Sequence, residues 1–398
     1  MSHSDVRSSL RSKFLDDTAA IPSWMFIQWI PQLLAAIGAS HALLAQPIIL
    51  RLAKEYPQAI YFPFNLSRES YKGPFAPKTA ATQQADRYLK SIEPHLHHRL
   101  LGMFVKGLDY LGTPELKLKD LVRSMKSRTQ QGDIAGAQRE WQEFRARHFS
   151  ANGGEIAKTK GAVYDDFQAK WKEFLDKLFD PTGSKLATMA ASKIDWMKDV
   201  DKRFNVSPPI RPTGKTPLAT YCTWFGQFEK YCAATGDYIE LPGQYTGKSR
   251  PQPDLHVRIV NFDPQILVMS SLRRPKRLTV NGSDERSHHY LVKLGEDLRM
   301  DQRVEQTFAT MNEILATNAA TQRRQLALRT YQVVPMTSTL GMLEWVNSKK
   351  KKRTDTYNCE LQQMSAPRSF MTLFCSSLIF ICVRYRTVEG RPTWLNLC

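Results

Sequence analysis

The hydrophobic pattern of this chain changes its period at about Tyr238, and no other feature limits its fold as strongly. Before that point apolar residues recur at helical spacing, as in the stripe formed by Phe167, Trp171 and Leu175. After it, short apolar segments alternate with polar residues and are separated by turn-forming sequences such as NGSD at 281–284. A helical part followed by antiparallel strands predicts an α+β chain, and 398 residues are long enough for two or three domains.

The part before this change divides into two helical regions. Residues 21–56 are densely apolar and predict short helices packed as a hairpin, and the pattern continues through 80–108. Residues 113–232 predict three or four amphipathic helices, two of them at 138–148 and 164–179. Because such helices bury their apolar stripes against each other, a helical bundle follows.

The part after the change predicts short strands around one helix. The helix is predicted over about 296–317, where Val304, Phe308 and Met311 share one face. The strands are predicted at 255–259, 266–269, 278–280, 290–292, 328–334 and 340–346. The expected order is therefore a group of strands, one helix and two further strands.

From Ser348 the character of the chain changes again. A basic run at 349–353 is followed by a polar stretch and an apolar patch without clear periodicity, and four of the six cysteines lie here. This tail is either an unusual terminal element or not a native continuation of the fold, and we favour the second interpretation. The basic run also matches a nuclear-import pattern, although such runs are usually solvated surface.

Composition points to the setting in which the chain acts. The net charge of +18 favours anionic partners, namely nucleic acid, an acidic membrane or phosphates. The cysteines form no CxxC pair, which fits free thiols in a reducing compartment. Residues 1–20 carry no apolar signal segment, and the apolar run at 370–383 is too short to span a bilayer. We therefore expect a soluble intracellular protein with no membrane partner.

Two short motifs are weak. The sequences at 243–249 and 214–216 resemble phosphate-binding loops but lack the glycine spacing and the strand-to-helix context, so polar turns explain them better. The histidines at 95, 97 and 98 have no further ligand at metal-binding spacing, and a solvated helix end is expected there.

Lys293 is the most informative single residue. It ends an apolar strand, so its ammonium is expected to face a cleft, and Glu296, Asp297 and Asp301 are predicted to open the next helix, where carboxylates suit the positive end of the dipole. A strand lysine with a carboxylate from the following helix is one arrangement that holds the phosphates of ATP. A surface salt bridge explains the spacing equally well, so the residues alone leave both readings open.

The sequence GEDLRMDQRV at 295–304, directly after Lys293 and Leu294, closely resembles the signature of the phosphatidylinositol 3-kinase-related protein kinases. The resemblance covers roughly 20–347 and is very specific over 236–347. Within the family it favours the branch of double-strand-break repair by non-homologous end joining over a sister kinase such as the target of rapamycin. The segments that carry this choice are 242–245, 256–259, 271–277, 328–331, 334–338 and 343–345.

The resemblance implies a domain organisation. Residues 1–110 would be the end of the FAT helical repeats, and 111–235 an FRB-like helical bundle. Residues 236–347 would be the N-lobe of a phosphatidylinositol 3/4-kinase-like domain, an antiparallel sheet plus one helix, with the C-lobe missing. The tail at 348–398 matches nothing in the family and would be disordered or aberrant.

The resemblance also implies a nucleotide site. Met269 and Pro275 would frame its roof, Ser271 would belong to the phosphate loop, Lys293 would contact the phosphates, and Leu291 would line the adenine cavity. Asp301 and Tyr331 would form an inner polar wall of the site. Glu344 and Trp345 would form its hinge.

Phosphoryl transfer needs an aspartate that orients the nucleophile and ligands for magnesium. In this family both come from DRHxxN and DFG motifs, and neither string occurs in the chain. We therefore expect no catalytic and no metal-binding residue here, and either a fragment of a serine/threonine kinase with half of its ATP site or a catalytically dead helical interaction fragment. The full-length family member would use ATP with Mg²⁺, phosphorylate Ser/Thr-Gln sites, and act in the nucleus with DNA ends and the Ku heterodimer.

Overall fold

A computed structural model describes residues 3–72, 79–96, 98–149, 160–192, 194–206, 213–346, 381–386 and 392–397. The chain divides into two compact units. The first unit comprises Met1–Leu298 with Val334–Leu343, and the second comprises Arg299–Val333 with Glu344–Cys398.

The first unit begins with helices, as the sequence predicts. They are α1 (His3–Ala20), α2 (Ile30–Ala35), α3 (Ala42–Glu55), α4 (Pro57–Lys72), α5 (Ala80–Leu96), α6 (Arg99–Tyr110), α7 (Pro114–Gln130), α8 (Ile134–Phe149), α9 (Ala162–Phe179), α10 (Lys185–Ala191), α11 (Met197–Val206) and α12 (Phe228–Thr235). Short 3-10 turns at Ser23–Trp29, Ala36–Gly38, Leu218–Thr220 and Thr223–Gln227 join some of them.

The helices bury two separate cores before they reach the sheet. One lies among α2 to α5 and contains Ile49, Leu52 and Leu89. The other lies among α7 to α11, where Trp141 and Trp171 are completely buried. The aromatic stripe of α9 therefore faces this second core, and the predicted bundle is confirmed.

The strands of the first unit form an antiparallel sheet of the kind found in a kinase N-lobe. They are β1 (Gly214–Pro217), β2 (Ile259–Phe262), β3 (Gln265–Val268), β4 (Lys276–Gly282) and β5 (Ser287–Leu294), followed by β7 (Val333–Thr337) and β8 (Leu340–Glu344). Their order is β1-β3-β4-β5-β8-β7, with β2 paired to β4. The predicted fold class is thus confirmed.

Several local predictions are wrong, among them the continuous strand expected over 328–334, which is interrupted between Leu328 and Val333. Gly214 opens strand β1, where a linker turn was expected. This strand pairs with β3, and since the partner of Gly214, Val268, is more than fifty residues away, the local sequence does not indicate it. The strand expected from Leu255 begins at Ile259, since the prolines around it favour a 3-10 turn and leave Leu255 77% exposed. The helix expected from Glu296 begins at Arg299.

One face of the sheet packs on the helices. Phe262 of β2 stacks on Phe104 of α6 at 6.0 Å between ring centroids and meets Phe225 edge-on at 4.7 Å. Tyr290 and Val292 of β5 are buried in the same core. Because side chains alternate along a strand, Leu291 and Lys293 lie on the opposite face.

The second unit contains α13 (Arg299–Thr317), α14 (Ala319–Arg323) and β6 (Ala327–Leu328). The Asn312 side chain clamps β6 to α13, because its Nδ2 donates to the Leu328 carbonyl at 2.8 Å and its Oδ1 accepts from the Leu328 N–H at 2.7 Å. β9 (Ile381–Arg386) pairs antiparallel with β6 and with β10 (Pro392–Leu397). The basic run at 349–353 and most of the tail lie outside the described residues, so their interpretation stays a prediction.

Candidate functional site

The loop between β3 and β4, residues 269–275, is a closed hairpin turn. The Met269 N–H donates to the Pro275 carbonyl at 3.0 Å, and the Arg274 N–H donates to the Ser271 carbonyl at 3.0 Å. Arg274 takes the left-handed conformation with φ of 52°, which lets the chain turn into Pro275. The structure therefore brings Met269, Ser271 and Pro275, three of the predicted site residues, into one short loop.

Lys293 stands near the end of β5 on the face that the core leaves open. Its side chain is only 17% exposed, and its Nζ lies 3.5 Å from Oε2 of Glu296. Leu291 lies two residues earlier on the same face and pairs across the ladder with Arg277 of β4. Leu291 and the largely shielded ammonium of Lys293 therefore give this face one apolar and one cationic position.

Gly295 makes the ion pair of Lys293 possible. Its φ of 78° is a left-handed conformation that favours glycine, and its N–H donates to the Thr339 carbonyl at 2.7 Å. The turn brings Glu296 back toward the strand before α13 begins. Glu296 is thus the partner of Lys293 from a turn, where the sequence pattern had placed it in a helix.

Sequence reasoning missed Lys276, the first residue of β4. Lys276 is 1% exposed, and its Nζ donates to Oγ1 of Thr113 at 3.3 Å and lies 5.0 Å from the centroid of the Tyr221 ring. Burial, reinforced by the nearby cations of Lys117 and Arg274, lowers the pKa of Lys276 to about 7. A signal existed, because Lys276 alternates in phase with the buried Leu278 and Val280.

In the second unit, Tyr331 is held by a carboxylate that the sequence analysis did not name. The Tyr331 N–H donates to Oε2 of Glu305 at 3.1 Å, and Glu305 is 7% exposed. Burial raises the pKa of Glu305 to about 7, with a smaller contribution from Asp301, while hydrogen bonds from Tyr331 oppose the shift. The four-residue spacing of Asp301 and Glu305 on α13 was the available signal, since it puts both on one helix face.

The predicted hinge residues also lie in the second unit. The N–H of Glu344 donates to the Gln332 carbonyl at 2.8 Å, and the Gln332 N–H donates to Oε2 of Glu344 at 3.1 Å. The Glu344 N–H is therefore already used within the protein. Trp345 follows it and is half-buried.

The structure explains His98, one of the weaker motifs, without a ligand. His98 caps α6, because its Nδ1 accepts from the Leu101 N–H at 3.2 Å. Within the described ranges, no group of three or more His, Cys, Asp or Glu side chains is placed to hold a metal ion. No single described helix is long and apolar enough to cross a membrane; one pair, Ser8–Ala20 with Ser23–Gly38, reaches that length and composition together but is bent by 111°.

Comparison with known proteins extends these observations. A family model described as phosphatidylinositol 3- and 4-kinase matches residues 287–360, which runs past the boundary expected at Asn347. The DNA-dependent protein kinase catalytic subunit of Dictyostelium discoideum is 35% identical over 92% of this chain and 8% of its own length. That of Mus musculus is 38% identical over 83% of this chain and also 8% of its own length.

A sister kinase matches less of the chain. The serine/threonine-protein kinase tor1 of Schizosaccharomyces pombe is 35% identical over 33% of this chain and 5% of its own length. The chain spans about 8% of the length of the first two relatives. The chain therefore belongs to the phosphatidylinositol 3-kinase-related kinases and resembles one segment of their DNA-dependent protein kinase catalytic subunits.

Proposed function

We propose that this chain supplies the N-lobe side of an ATP site in a DNA-dependent serine/threonine protein kinase. The observation that carries the proposal is the sheet face that holds Leu291 and Lys293 beside the closed 269–275 loop. An apolar position suits a base, and an ammonium that is largely shielded from water suits phosphates. The carboxylate of Glu296 would keep the ammonium oriented when no nucleotide is present.

The residue roles follow from the resemblance to the family. Met269 and Pro275 frame the roof, Ser271 belongs to the phosphate loop, Lys293 contacts the phosphates and Leu291 lines the adenine cavity. The remaining roles are an inner polar wall, formed by Asp301 and Tyr331, and a hinge, formed by Glu344 and Trp345. Since the N–H of Glu344 is taken by Gln332, the hinge would pair with adenine through other backbone groups.

The wider role rests on the similarity to the DNA-dependent protein kinase catalytic subunits. Residues 1–110 would be the end of the FAT repeats and 111–235 the FRB-like bundle. The complete kinase would act in the nucleus on DNA ends with the Ku heterodimer, in repair by non-homologous end joining, and would phosphorylate Ser/Thr-Gln sites.

The chain by itself would bind nucleotide without transferring phosphate. The transfer needs a base and magnesium ligands, and the sequence contains neither DRHxxN nor DFG. Steady phosphorylation of a Ser/Thr-Gln peptide by the purified chain, abolished in Lys293→Ala, would overturn this part of the proposal.

The binding test is equilibrium titration of the 398-residue chain with metal-free ATP. A charge-assisted contact contributes about 1.5–3 kcal/mol, so Lys293→Ala should weaken binding about ten-fold or more. The matched control is Lys170→Ala, because Lys170 is also half-buried and pairs with Asp166 at 2.8 Å in the helical bundle. If ATP does not bind, or if both variants weaken it equally, the chain is better explained as a helical interaction fragment.

A further inference from the structure

We propose that helix α7 is a brace for the 269–275 loop, and that Asp120 and Thr113 are positioning residues for the groups that meet phosphate. The inference rests on the proposed ATP site for its functional meaning. Its structural content, that the helical bundle fixes the conformation of this loop, can be tested without nucleotide.

The first contact of the brace holds the tip of the loop. Nη1 of Arg273 donates to Oδ2 of Asp120 at 2.7 Å, and each side chain is 38% exposed. The two residues are 153 positions apart in sequence, so only the tertiary fold brings them together. Exposed ion pairs contribute little to global stability, but a short one can select one conformation of a flexible loop.

The second contact holds the base of the loop. Lys276, directly after Pro275, is buried and donates from Nζ to Oγ1 of Thr113, the residue that precedes the first turn of α7. Its ammonium also lies over the Tyr221 ring. The loop is thus attached to α7 at its tip and at its C-terminal base.

The spacing of the two contacts along α7 lets them hold the loop together. Thr113 and Asp120 are seven residues apart, which is about two helical turns or ~10 Å, so they lie on the same side of the helix. Lys117 lies between them and pairs with Asp109 at 2.8 Å, which fixes the first turns of α7 to α6. A loop held at two points of a fixed helix has little freedom left.

The brace also reaches the turn after Lys293. A Cβ added to Gly295 would lie 3.1 Å from Nη1 of Arg273 and 3.4 Å from Oδ2 of Asp120. Arg273 and Asp120 therefore pack over the backbone that connects Lys293 to Glu296. Helix α7 consequently contacts both structural elements that would meet phosphate, the loop and the end of β5.

The proposed consequence is preorganisation. With Asp120 in place, the loop is ordered before nucleotide arrives, so binding costs less conformational entropy. Coupling of this kind is reciprocal, so nucleotide would also restrain the N-terminal end of the helical bundle.

The structural test is amide hydrogen exchange at 270–274 in the nucleotide-free chain. Asp120→Asn should raise exchange in this loop about two- to five-fold, the range expected for an exposed ion pair. The control is Asp176→Asn, which removes a comparable pair with Arg145 at 2.8 Å in the same bundle. The charge swap Asp120→Arg with Arg273→Asp should restore slow exchange, which a purely local packing defect would not do. Unchanged exchange in Asp120→Asn, or failure of the swap, overturns the brace.

The functional test is the affinity for metal-free ATP. Asp120→Asn should weaken binding about two- to five-fold and Asp120→Glu should retain most of it, while Asp176→Asn leaves it unchanged. Tighter binding in Asp120→Asn overturns the brace, because Asp120 would then compete with phosphate for Arg273. If the wild-type chain binds no ATP, the proposed function fails and the exchange data alone decide the brace.

Discussion

Two lysines on neighbouring strands of the same ladder have opposite surroundings. Lys276 begins β4 on the core face, where it is 1% exposed and meets a hydroxyl and an aromatic ring. Lys293 stands near the end of β5 on the other face, where it is partly exposed and meets the carboxylate of Glu296. Both side chains are lysines, but the ammonium of Lys276 is buried in the protein interior, whereas that of Lys293 is accessible to a ligand.

The difference shows how a strand assigns structural and binding roles to one kind of side chain. Alternation decides the face, and the face decides the partner and the dielectric surroundings. A buried cation without a full counter-ion costs stability, whereas a shielded cation at an open face keeps its attraction for an anion. We therefore expect substitutions at Lys276 to act on folding, and substitutions at Lys293 to act on ligand binding.

The largest expected effect comes from reversing the buried charge. Lys276→Glu places a carboxylate in the interior close to Glu115, which is itself 2% exposed. Desolvation of the new carboxylate, together with the like charge of Glu115, should outweigh the attraction of Lys117 and Arg274 and lower the free energy of unfolding by about 3–5 kcal/mol. Urea denaturation followed by tryptophan fluorescence measures this change.

The companion variant for that experiment is Lys276→Met, which keeps the length of the side chain without its charge. It should be at least as stable as the wild type at neutral pH, since replacing a poorly compensated buried charge by an apolar group is often neutral or stabilising. Equal losses in both variants would show that the hydrogen bond to Thr113 matters more than the charge.

The second prediction concerns pH. The pKa of Lys276 is about 7 in the folded chain and near 10.5 when exposed, so between these values the unfolded chain binds the extra proton. The contribution of Lys276 to the free energy of unfolding therefore rises as the pH increases above 7. Below pH 7 the buried charge destabilises the fold to its full extent. The expected slope is about 1 kcal/mol per pH unit between pH 7 and 9.

The measurement is the free energy of unfolding of the wild type relative to Lys276→Met across that pH range. The difference isolates Lys276 from other groups that titrate there, including Lys117, whose pKa is also lowered by burial. A difference that does not change with pH would mean that Lys276 stays protonated in the fold, with its charge compensated by Glu115.

These effects also show how far the sequence alone reaches. The change of period predicted the helical part and the sheet, and the apolar run that ends at Lys293 predicted the strand that carries it. Local patterns of this kind are set by neighbours in sequence, which is why they can be predicted. The acidic cluster after Lys293 was recognised for the same reason.

Other features depend on residues that are distant in sequence. Strand β1 has no alternation of its own and forms only because β3 offers it an edge. The pairing of Asp120 with Arg273 joins a helix to a loop, and the contact of Glu305 with Tyr331 joins α13 to the segment after β6. No periodicity encodes such contacts, so Asp120 and Glu305 were missed, whereas the residues of the proposed nucleotide site were named from the family resemblance.

The smallest expected effect completes the comparison of the two lysines. Lys293→Ala removes an ion pair of 3.5 Å between partly exposed groups, and such pairs contribute about 0–1 kcal/mol. Its free energy of unfolding should therefore differ from the wild type by less than about 1 kcal/mol, although ATP affinity is expected to fall strongly. The same urea titration measures this, with Lys170→Ala as the reference for removing a paired lysine from a helix. A loss as large as that of Lys276→Glu would show that Lys293 is part of the core, and its proposed role at the phosphates would then lack a structural basis.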